Sequence, residues 1–101
     1  MAKLPSATEF QILCLLDTER SGREVAALYE EATNRPISYG TLYSTIRRLA
    51  KQGWVRTRDA KDEDGRVRHA RITASGVAAR ADARAFFEGM AQSGLPGGST
   101  A

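Results

Sequence analysis

At Gly53 the hydrophobic pattern of this chain changes period, and that change limits the folds open to it. Before Gly53, apolar residues recur every three or four positions, the spacing that gives a helix one buried face. Val25, Leu28, Tyr29 and Ala32 form one such stripe, and Leu42, Ile46 and Leu49 form another. After Gly53, Trp54-Val55-Arg56-Thr57-Arg58 and the stretch from Arg66 to Thr73 alternate and are rich in β-branched residues, as extended strands are. The acids and glycine from Asp59 to Gly65 read as a hairpin loop rather than a tight two-residue turn. Helices followed by one hairpin, in a chain of 101 residues, make a mainly α (α+β) fold with room for a single core.

Helix starts are marked. Ser6-Ala7-Thr8-Glu9 and Ser21-Gly22-Arg23-Glu24 both have the capping-box form, a hydroxyl with an acid three residues on. They predict helices from Ala7 to Asp17 and from Ser21 to Ala32. Asn34-Arg35-Pro36 breaks the chain, because proline lacks a donor and disfavours helix just before itself. Ser38 caps a third helix that ends at Gln52, and a fourth runs from Ala74 to Gln92. Residues 93–101 are small and polar, and read as a disordered tail. The expected organisation is thus a helix–hairpin domain over 1–73, a C-terminal helix over 74–92, and the tail.

Composition removes several function classes. At 42% hydrophobic and 27% charged the chain reads as an ordinary soluble protein, with no apolar run approaching a membrane span. Its beginning lacks an apolar leader, so a cytoplasmic location is expected. One cysteine and one histidine cannot build a disulfide framework or a Cys/His zinc site. No nucleophile elbow, histidine–acid pair or phosphate-cradling glycine loop is present, so neither an enzyme nor a bound cofactor is expected. Cys14, in the most apolar segment, reads as a small core residue, Trp54 as a seal between helix and hairpin, and His69 as a histidine without a clustered acid.

Charge is uneven. The net charge is +3, but residues 47–71 carry +5 and the remainder −2. A basic middle in a faintly acidic chain suits a polyanion. Helices joined by a short break and followed by a basic hairpin are the layout of a winged helix-turn-helix. In that layout the third helix enters the major groove of double-stranded DNA. Ser38, Gly40, Thr41 and Ser44 let its start approach the backbone, while Arg47, Arg48 and Lys51 reach phosphates or guanine edges. Tyr43 either offers its hydroxyl to a phosphate or packs half-buried beside the hairpin. Arg66 and Arg68 are the wing residues nearest the turn. A winged helix used for protein–protein contact is the rival reading; steep salt dependence of DNA binding separates the two.

Ser21-Gly22-Arg23-Glu24-Val25, Ser38-Tyr39-Gly40-Thr41-Leu42-Tyr43, Arg47-Arg48-Leu49, Gly53-Trp54-Val55 and Arg71-Ile72-Thr73-Ala74-Ser75-Gly76 together resemble the PadR family of bacterial transcriptional regulators. The resemblance implies a homodimeric winged-helix repressor of a palindromic operator, dimerising chiefly through its C-terminal helix. It also implies release from DNA by a small hydrophobic or aromatic effector. The chain departs from the family at Ala70, where a tyrosine is common, and at Ser21 and Arg23.

The last helix supports a dimer on its own pattern. Gly76, Ala79, Ala83, Phe86 and Met90 are spaced 3, 4, 3 and 4, a short heptad seam. The first helix is apolar around most of its circumference, more than one face can bury. The expected interface comprises Phe10, Leu13, Ala79, Ala83, Phe86, Phe87 and Met90.

Overall fold

A computed structural model describes residues 3–62 and 65–93, with the side chains of residues 62, 65 and 66 left out. The elements are α1 (Ala7–Cys14), β1 (Arg20–Ser21), α2 (Gly22–Thr33), α3 (Tyr39–Lys51), β2 (Val55–Asp62), β3 (Gly65–Ile72) and α4 (Ala74–Gln92). Three antiparallel strands form one sheet in the order β1-β3-β2. This is a mainly helical winged-helix fold. The expected tail from residue 94 lies outside the described residues.

Both capping boxes form. The Ser6 hydroxyl accepts from the Glu9 amide at 3.2 Å while the Glu9 carboxylate accepts from the Ser6 amide at 2.8 Å. Ser21 and Glu24 repeat the exchange at 3.1 and 2.9 Å. Ser38 caps α3 by accepting from the Thr41 amide at 3.1 Å, and Thr73 caps α4 by accepting from Gly76 at 3.0 Å. Each serves N–H groups that a helix start cannot satisfy itself. Asn34, in the left-handed region at φ 58°, closes α2.

Two boundaries differ from expectation by more than a residue, and one strand is new. The first helix stops at Cys14 rather than Asp17, and the carbonyls just past its end take partners outside the helix: Leu15 accepts from Arg20 Nε and Leu16 from the Ile72 amide, both at 2.9 Å. Strand pairing continues past Asp59 to place Asp62 opposite Gly65, so the ladder occupies most of the expected loop. Arg68–Asp59, an ion pair at 3.3 Å across that ladder, helps carry it outward. Strand β1 was not expected at all. Two residues hold no periodicity, and Ser21 already served as a cap; its pairing with His69 on β3 is purely tertiary.

The core joins Ile12, Leu13 and Leu16 of the first-helix region with Val25, Leu42, Ile46, Leu49, Trp54, Val55, Ala70 and Ala79. Trp54 is buried as expected. Gly76 packs against the Trp54 carbonyl so closely that a Cβ would collide with backbone. Cys14 is only partly buried, and burial pushes its thiol above the usual range despite Arg80 and Arg84 nearby.

The expected dimer residues divide. Leu13 and Ala83 are wholly inaccessible and Ala79 nearly so, so these three belong to the interior of one protomer rather than to an open seam. The physical reason is length. An eight-residue α1 rises about 12 Å, whereas nineteen-residue α4 rises about 28 Å. The early stripe of α4 therefore meets its own protomer. Beyond Ala83 every described residue except Phe87 is exposed, and Phe86 and Met90 are 48% and 46% accessible. Phe87 leans on Phe10 and Phe86, with ring centroids 5.6 Å apart in each pair.

Candidate nucleic-acid interface

Helix α3 positions the site. Leu42, Thr45, Ile46 and Leu49 face the core, which leaves Tyr39, Gly40, Thr41, Ser44, Arg47 and Lys51 exposed on the opposite side. The helix carries no acid in its first turn and has Arg48 and Lys51 in its last. Its hydroxyls, open glycine and cations can donate to anionic oxygens.

Gly40 has no intramolecular reason to be glycine. A Cβ there would find only the Ser38 hydroxyl, at 4.0 Å. Gly22 is different. A Cβ there would lie 2.5 Å from the Tyr43 hydroxyl, so the missing side chain at the start of α2 is what seats the Tyr43 ring. Tyr43 is accordingly half-buried, with part of its surface still accessible. Tyr39 stacks on it at a centroid distance of 6.2 Å and is itself 51% accessible. Sequence reading left Tyr39 out of the candidate face. The signal was its four-residue spacing from Tyr43, which puts both rings on one helix face.

Between α3 and the hairpin lies a groove of about 600 Å³ lined by Tyr43, Ile46, Arg47, Thr57, Asp59 and Arg68. Arg47 borders it from the helix and Arg68 from the strand, so two elements present cations to one channel. Arg68 is half-exposed while paired with Asp59. Arg66 was expected beside it, and its side chain lies outside the described residues.

Arg48 has a task that the sequence did not suggest. Its Nε lies 3.3 Å from Glu9 Oε2, and its Nη2 donates to the Thr45 hydroxyl at 3.2 Å. Glu9 is 6% exposed, so Arg48 is the counter-charge of a buried carboxylate that also caps α1. Helical periodicity alone does not separate this flank position from the open face occupied by Arg47.

His69 also differs from expectation, since its Nδ1 is 3.8 Å from Glu19 Oε2. The same carboxylate accepts both Arg58 donors, and this hydrogen-bonded pairing holds Glu19 below the usual carboxylate range. Glu19 lies in the loop before β1, too far along the chain for sequence spacing to reveal the cluster. No metal-ligand cluster occurs among the described residues, and none of their helices is long and apolar enough to cross a membrane.

The PadR-like family of transcriptional regulators matches residues 12–82. The chain belongs to that family. Solved PadR-like proteins share the fold: a PadR family regulator from Eggerthella lenta superposes with a TM-score of 0.78 at 20% identity, covering 85% of this chain and 76% of that one. A transcriptional regulator from Clostridium thermocellum gives 0.76 at 26% identity, over 84% and 86%. Bacillus subtilis PadR, solved in complex with operator DNA, gives 0.69 at 20% identity over 76% of this chain and 47% of its own length. No curated protein sequence matches. A PadR-like chain is a transcriptional regulator rather than an enzyme.

Proposed function

We propose that this PadR-like regulator is a cytoplasmic homodimeric repressor that reads a palindromic operator with α3 and braces the flanking backbone with the β2–β3 hairpin. The observation that carries the reading is the groove shared by Arg47 and Arg68, which sets a helix face and a strand face against one path for a phosphate chain. Ser38, Gly40, Thr41, Tyr43 and Ser44 lie at the helix start, where backbone approach is closest, with Lys51 at its far end. Two subunits place two such helices in half-sites about 34 Å apart, and the exposed Phe86 and Met90 on the overhanging half of α4 supply the dimer contact. In this reading a small aromatic effector enters at the same seam, against Phe10, Phe86 and Phe87.

Fluorescence anisotropy on the DNA upstream of the protein's own gene, against scrambled DNA at two salt concentrations, tests the proposal. Selective binding that weakens steeply with salt is expected, because phosphate contacts release counterions. Equal, weak binding to both, and to a random-sequence library, would favour the protein-contact winged helix. Phe86→Glu with Met90→Glu should give monomers in sedimentation; a persisting tight dimer would remove α4 from the interface.

A further inference from the structure

The sheet carries a second charged surface, turned away from α3. Side chains alternate along a strand. Val55, Thr57 and Asp59 point to the core and the α3 groove, so Arg56 and Arg58 point to the other face, as Arg71 does from β3. There they line a second groove of about 400 Å³ with Glu19, Ile72, Thr73, Ala74 and Thr57, which borders both grooves; its volume is within the ~300–1,000 Å³ typical of small-molecule sites.

Arg56 and Arg71 are direct cross-strand partners and both are exposed. Like charges placed opposite each other destabilise a sheet unless something neutralises them. Glu19 is the one acid lining the groove; Arg58 holds it by hydrogen bonds, and the Arg71 charge acts on it only at longer range. Neither Arg56 nor Arg71 has an ion pair among the described residues. Ala74 opens α4 beside them, and the first turn of α4 holds no acid, so the positive end of that helix adds to the same field.

We propose that this groove binds the phosphate group of a small phosphate monoester, with Arg56 and Arg71 as its two guanidinium forks. A monoester carries roughly −1.5 to −2 at neutral pH, which matches two guanidiniums that hold no ion pair among the described residues. Each fork can meet two oxygens at once, and Arg suits that geometry better than Lys. The ligand would sit at the joint between the hairpin and α4. This site does not depend on the reading of α3.

Titration of the full chain with inorganic phosphate, followed by amide NMR at matched ionic strength in chloride, is the test. Saturable shifts centred on residues 56, 71 and 74–76 are expected. Arg56→Gln and Arg71→Gln should each weaken them about tenfold or more, as loss of a charge-assisted hydrogen bond implies. Arg68→Gln, on the other face, should leave them unchanged. Shifts that stay linear, or that chloride reproduces, would overturn the proposal. So would absent phosphate binding combined with a tenfold loss of DNA affinity in Arg56→Gln, which would assign the arginines to DNA backbone. Melting in phosphate-free buffer gives an independent check. Arg56→Gln should melt no lower than the parent, since a repulsion is relieved; a clear fall would reveal an internal partner and refute the site.

Discussion

Substituting Gly40 by alanine separates what the fold needs from what the interface needs. Glycine within a helix costs about 0.5–1 kcal/mol relative to alanine, through backbone entropy. At Gly40 that cost is not offset by packing, because the added Cβ would meet only the Ser38 hydroxyl at an unstrained 4.0 Å. Gly40→Ala should therefore stabilise the free protein by up to about 1 kcal/mol. For a domain of this size that is a rise of roughly 4–8 °C in Tm at the upper limit. If the start of α3 lies against DNA, the same methyl occupies the space of close approach and operator affinity should fall about tenfold, or about 1.4 kcal/mol. Thermal melting followed by circular dichroism and anisotropy titration on one preparation read the two effects. Opposite signs are the expected outcome. An unchanged affinity would refute close approach at Gly40, and a lower Tm would refute the claim that its surroundings are open.

Other perturbations follow from the same contacts. Arg48→Ala should cost about 1–2 kcal/mol in denaturant unfolding at neutral pH by stranding the Glu9 carboxylate, whereas Arg47→Ala should leave stability alone and weaken DNA binding. Equal stability of the two variants would contradict the division of roles. Gly76→Ala should destabilise by about 2–3 kcal/mol, because the obstacle is the Trp54 backbone rather than a movable side chain; normal unfolding behaviour would show that α4 can shift away. Hydrogen bonding from Ser21 holds Glu24 below the usual carboxylate range, so its contribution is complete above that range and is lost as pH falls through the lowered value. Glu24→Gln should flatten the acid limb of a stability–pH curve, and an unaltered slope would exclude Glu24 from it.

Much of the molecule was legible because its signals are local. Ser6, Ser21 and Ser38 announce helix starts through hydrogen bonds spanning three residues, and those bonds form wherever the helices go. The period change at Gly53 likewise needs no knowledge of neighbours. From these features come the helix–hairpin order, the burial of Trp54, and the exposure of Arg47, Ser44 and Lys51 on α3. The Ser-Tyr-Gly-Thr-Leu-Tyr and Arg-Ile-Thr-Ala-Ser-Gly stretches pointed to the family that the match over residues 12–82 establishes.

Tertiary packing decided what local pattern leaves open. A heptad stripe on α4 states that one face is apolar, without stating what covers it. Only the lengths of α1 and α4, laid side by side, assign Ala79 and Ala83 to the protomer and leave Phe86 and Met90 outside. Arg47 and Arg48 are neighbours on one helix, yet Glu9, 39 residues before Arg48, gives one of them an intramolecular partner. Glu19 reaches Arg58 and His69 over comparable separations. Hydrogen bonds of a few residues' span are written in the order of the chain. Contacts between distant residues exist only once the core has placed them side by side.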